Sequence, residues 1–80
     1  MANEITIKYS EDLRKNEIVG KVYGILRDKG LDPIIVNVTY STKIGQGNAT
    51  YVFGQPNRLP DKSAIEKMLE GININEIEVQ

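Results

Sequence analysis

The chain has 80 residues, with ten basic against eleven acidic side chains and neither cysteine nor histidine. Disulfide staples, thiolate chemistry, zinc fingers and Ser–His or Cys–His catalysis are therefore excluded, and packing alone must stabilise a core of modest size. A pI of about 5.3 runs against tight, sequence-blind binding to nucleic acid, which draws most of its affinity from neutralised phosphates, but it leaves room for a local basic patch.

The length predicts one domain over residues 1–80. Residues 4–9, "EITIKY", alternate as a strand does, with Ile5 and Ile7 on one face and Thr6 and Lys8 on the other. No long apolar run opens the chain, so neither a signal peptide nor a membrane span is expected, and a cytoplasmic protein is the expectation.

A helix is predicted over 14–29, where Ile18, Val19, Val22, Ile25 and Leu26 recur at helical spacing. Ser10 or Asn16 can cap its start, and Glu11 and Asp12 place negative charge near that end. Gly30 fits a C′ stop, with Arg27 and Lys29 in the last turn. Gly20 and Gly24 fall one turn apart on the side away from the apolar stripe. Each costs about 1 kcal/mol relative to alanine, so the pair reads either as a docking surface for a closely approaching partner or as an unoptimised surface.

"PIIVNVTY", residues 33–40, alternates again: Ile34, Val36 and Val38 share one face, and Ile35, Asn37 and Thr39 the other. A turn at Gly45–Gln46–Gly47 leads into "NATYVF", residues 48–53, with Ala49, Tyr51 and Phe53 together, so the two strands read as a hairpin. The glycines either supply positive φ to the turn or bring backbone N–H groups close to phosphates.

Pro56 and Pro60 mark a loop, followed by a short helix in "DKSAIEKMLEG". Asp61 can cap it, with Ser63 and Glu66 as an alternative capping box. Ala64, Ile65, Met68 and Leu69 form its stripe and Gly71 ends it. A last strand at 75–79 turns Ile77 and Val79 inward. Tyr23 and Tyr51 fit the core, whereas Tyr9 and Tyr40, near strand ends, read as amphipathic edge residues.

The order β-α-β-β-α-β predicts an α+β, ferredoxin-like two-layer sandwich, a four-stranded antiparallel sheet with two helices on one face. Its open face is then Thr6, Lys8, Ile35, Asn37, Thr39, Asn48, Thr50 and Val52, with Glu76 and Glu78 on the last strand. Those two glutamates lie about 6–7 Å apart along the strand, too few oxygen ligands for a hard cation. No nucleophile–base pair and no phosphate-cradling loop can be assembled, so no catalytic residue, metal or cofactor is expected.

Two family resemblances add to this. "ITIKY", "QGNATYVF" with Gly47, Ala49 and Phe53, and "AIEKMLEGININEIEV" resemble the strands and second helix of the RNA-recognition-motif family over most of the chain. The positions at which that family stacks bases are Thr6, Asn48 and Thr50 here. None can stack, a contact of about 1–3 kcal/mol per base, so the resemblance implies the fold and not the base platform. Residues 17–50 are similar to an e-type small-subunit ribosomal protein family (the one numbered twenty-four), through "EIVGKVYGILRDKG" with Glu17, Ile18 and Lys21, and through "TKIGQGNAT". That resemblance implies an RNA contact at the hairpin.

The expected function is a small non-enzymatic module associated with RNA or the ribosome. It would use Lys43, Gln46 and Asn48 of the hairpin and Thr6, Lys8, Asn37, Thr39 and Thr50 of the open face. The alternative is a protein-interaction or dimerisation module that binds no nucleic acid, docking through Gly20 and Gly24 or through Ile35 and Val52.

Overall fold

The structure, a computed structural model, describes residues 3–10, 17–54 and 59–80. The expected helix start near 14, the Asn16 cap, Glu11, Asp12 and Pro56 lie outside the described residues. Six elements follow in the expected order: β1 (Glu4–Tyr9), α1 (Glu17–Asp28), β2 (Pro33–Ser41), β3 (Gln46–Phe53), α2 (Lys62–Met68) and β4 (Ile74–Val79). The four strands make one antiparallel sheet in the order β2-β3-β1-β4, so the chain is α+β, with β2 and β4 at the edges.

Strict alternation in β1 and β3 decides which face is covered. Ile5, Ile7 and Tyr9 of β1 and Gly47, Ala49, Tyr51 and Phe53 of β3 are buried, and the residues between them are not. Ile18, Val19, Val22 and Leu26 of α1 join Ile65 and Leu69 in the same apolar cluster as these strand residues, with Ile74, Ile77 and Val79 at its margin. Removing this apolar surface from water is the main stabilising contribution, about 25 cal/mol per Å². One polar group is anchored within it: the Tyr51 hydroxyl donates to the Val19 carbonyl at 2.8 Å, tying β3 to α1.

The helix ends follow from local chemistry. Gly30 takes φ 85°. Its N–H donates to the Arg27 carbonyl at 3.0 Å and that of Leu31 to the Leu26 carbonyl at 3.1 Å, the paired bonds of a Schellman stop. Asp61 caps α2 by accepting from the Ala64 N–H at 2.9 Å, so the aspartate, not the Ser63–Glu66 alternative, holds that end. Among the described residues no helix is long and apolar enough to cross a membrane.

Three local expectations need correction. The β2–β3 turn is Thr42–Gly45, with Ser41 paired to Gln46, so Gln46 and Gly47 belong to β3 and not to the turn. Tyr9 is buried at 2% exposure and is a core residue, not a strand-end edge. The alternation of β2 is interrupted by a bulge: Ile35 pairs with Tyr51 but Asn37 with Thr50, leaving Val36 as the extra residue.

Candidate interaction surface

The register places side chains directly opposite one another on a common face. On the open face they form rows across the sheet. One row is Asn37, Thr50, Thr6 and Glu78; the next is Thr39, Asn48, Lys8 and Glu76. Ile34, Val52 and Glu4 form a third on one side of these, and Ser41 with Gln46 a short fourth beside the turn. The structure thus brings together Thr6, Lys8, Asn37, Thr39, Gln46, Asn48 and Thr50, with Lys43 exposed in the turn beyond them.

Ile35 is not part of that face. Its partner Tyr51 lies on the helix side, so the bulge at Val36 turns Ile35 toward the helices and Ile34 toward the open face beside Val52. This overturns the pairing of Ile35 with Val52 as one docking patch; the residue beside Val52 is Ile34.

Much of the open face satisfies itself. The Thr6 and Thr50 hydroxyls lie 3.2 Å apart and share a hydrogen bond. The Lys8 ammonium lies 2.9 Å from a Glu76 carboxylate oxygen. That hydrogen bond raises the Lys8 pKa and lowers that of Glu76, the charges adding in the same direction. With Glu4 and Glu78 also present, the β1–β4 half of the face is acidic, whereas the β2–β3 half carries no charge. A polyanion meets one paired ammonium there, and Lys43 at the turn.

The apolar surface lies elsewhere. Among the described residues, the large apolar side chains that stand exposed are Ile34, Ile35, Val36, Val38 and Ile44. All five fall within residues 34–44. Ile34 is 58% exposed, Val36 56% and Ile44, in the turn, 71%. Only Pro33 of the nine β2 residues is buried, and among the described residues no β2 side chain belongs to the apolar core cluster. β2 is thus an edge strand with exposed apolar side chains on both faces, and among the described residues its backbone pairs with a strand, β3, on one side alone.

Gly20 and Gly24 lie on α1, apart from this surface, and a Cβ built on either meets nothing within 4 Å. Alternation alone assigned Ile34, Val36 and Val38 to a buried face, and so missed the exposed strand. A usable signal was present: "PIIVNVTYS" is nine residues without a charge, and Ile35 was the one apolar residue that β2 placed on the expected open face, beside Asn37 and Thr39. No protein-family model, no curated protein and no solved structure matches the chain.

Proposed function

We propose that this chain is a non-enzymatic interaction module of the cytoplasm, a ferredoxin-like α+β domain that engages a protein partner along β2 and the 42–45 turn. The strand order β2-β3-β1-β4, with a helix after β1 and another after β3, supports the ferredoxin-like class. One observation carries the functional reading: among the described residues, the five exposed large apolar side chains are all gathered on the edge strand and its turn. A long apolar edge offers unpaired backbone groups and side-chain contacts together, the combination used when a partner strand adds to a sheet.

The RNA- or ribosome-associated reading draws on a different observation, the convergence of Lys43, Gln46, Asn48 and Thr39 at the turn end of the open face. The pairing of Lys8 with Glu76 and the acidic β1–β4 half weigh against it.

The two readings separate in one NMR titration of labelled protein. A nine-residue peptide of alternating valine and threonine, with a lysine at each end, is expected to shift the amides of residues 33–41 and to do so at moderate as well as low salt. Short single-stranded RNA is expected to leave the spectrum unchanged. Shifts with RNA confined to residues 43–50 and the open face, fading as salt rises, would replace this proposal with the RNA reading.

A further inference from the structure

We infer that the segment received by β2 is an uncharged amphipathic strand of another protein, which pairs with residues 37–41 and sets apolar side chains beside Val38 and Tyr40. This rests on the reading of β2 as the contact surface and names the chemistry of its occupant.

The bulge decides where a partner can pair. Ile35 and Asn37 are two positions apart yet face opposite sides of the sheet, because Val36 is the extra residue. A partner strand of regular alternation therefore keeps its faces matched on one side of the bulge only. Before the bulge lie Pro33, Ile34 and Ile35, and Pro33 has no N–H to donate. After it, Asn37 to Ser41 alternate without interruption. The longer run takes the partner.

Within that run the two faces ask for different side chains. On the helix side the register carries two apolar rows out to the edge. One is Ile77, Ile7, Ala49 and Val38; the other is Ile74, Tyr9, Gly47 and Tyr40. Ile7 and Ala49 are fully buried, but Val38, at the end of its row, is 43% exposed. An apolar side chain on an added strand covers Val38 and extends the row by one place. On the open face Asn37, Thr39 and Ser41 offer amide and hydroxyl groups to polar neighbours.

Charge narrows the choice further. Neither β2 nor β3 contains Asp, Glu, Lys or Arg. A charged side chain set beside Val38 would lose water and find no counter-ion on either strand, so the complementary segment is neutral there. The other edge, β4, carries Glu76 and Glu78 on its open face, a guard of the kind that turns strand addition away.

Titrating labelled protein with two peptides tests the assignment: the valine–threonine peptide, and the same peptide with every valine replaced by threonine. The first is expected to bind with its largest amide shifts over residues 37–41. The second is expected to bind about tenfold more weakly or worse, since it forfeits the apolar contacts on the helix side. Val38→Thr, a change at an exposed position, is expected to weaken the first peptide by about threefold or more and to keep a dispersed amide spectrum. Ile34→Thr, exposed on the other side of the bulge, is expected to leave its affinity unchanged. Equal affinities for the two peptides along 37–41, or a loss with Ile34→Thr as large as with Val38→Thr, would overturn the proposal while leaving β2 as the contact surface. Failure of both peptides to bind would overturn it together with that reading. A free chain that sediments at twice its 9.0 kDa mass, with residues 37–41 already protected from exchange, would overturn it in favour of a second copy.

Discussion

The ring of Tyr9 lies against the backbone of Gly47, its directly paired neighbour in the sheet. A Cβ built at Gly47 would stand 2.5 Å from Tyr9 Cζ and 2.8 Å from its hydroxyl oxygen. Tyr9 is itself buried, so the ring has little room to move aside. Gly47→Ala should therefore destabilise by about 1–3 kcal/mol, the usual cost of overpacking a core, read by urea denaturation. The same change at Gly20 or Gly24, where the added Cβ meets nothing within 4 Å, should stabilise by up to about 1 kcal/mol through helix propensity. Equal effects at all three sites would contradict the Tyr9–Gly47 contact.

Gly45 closes the hairpin for a different reason. Its φ of 63° lies in the left-handed region, where an L side chain is strained although no atom obstructs it. Gly45→Ala should cost about 1–2 kcal/mol, and Gly45→Asn less, because asparagine tolerates that region. Thermal melts of the two variants give the order directly.

Tyr51 supplies the pH dependence. Burial, reinforced by the nearby Tyr9 phenol, holds its pKa well above the ordinary tyrosine value. The folded chain thus keeps a proton that the unfolded chain releases near pH 10. Below that pH the difference contributes no slope. Above it stability falls as pH rises, by up to about 1.4 kcal/mol per unit, until the folded value is reached. Tyr51→Phe should lose about 1 kcal/mol at neutral pH with the hydrogen bond to Val19, and should decline less steeply than the wild type above pH 10. Parallel curves for the two proteins would show that the phenol is not buried in the fold.

Asp61→Ala removes the side chain that accepts from the Ala64 N–H. The expected loss is about 1 kcal/mol, with Asp61→Asn or Asp61→Ser keeping most of the stability. Urea midpoints of the three variants check it.

Elements with one dominant periodicity were legible in the sequence. The alternation of "EITIKY" and "NATYVF" and the stripe of Ile18, Val22 and Leu26 led to β1, β3 and α1 with the correct buried faces. Gly30 and Asp61 marked their helix ends because the signals are local. The turn was misplaced because Gly47 looks like a turn residue; its true reason is Tyr9, 38 positions earlier in the chain and opposite it in the sheet. β2 was misread for a related reason. An inserted residue reverses every face beyond it, and the run Ile34–Ile35–Val36 gives period 2 no means of showing where the insertion falls. How far the helix layer extends over the sheet is likewise a tertiary property, so the exposure of Val36 and Val38 could not be read from their hydrophobicity.

The central claim is that β2, with its turn, is the surface by which this chain engages a partner. The most direct measurement is amide hydrogen exchange at a concentration low enough to keep the chain monomeric, with and without saturating valine–threonine peptide. The account predicts that protection is gained along residues 33–41 and that exchange at 76–79 and around Gly20 and Gly24 is unchanged. Protection appearing along β4 or on α1 instead, or no change along β2 at saturation, would contradict it.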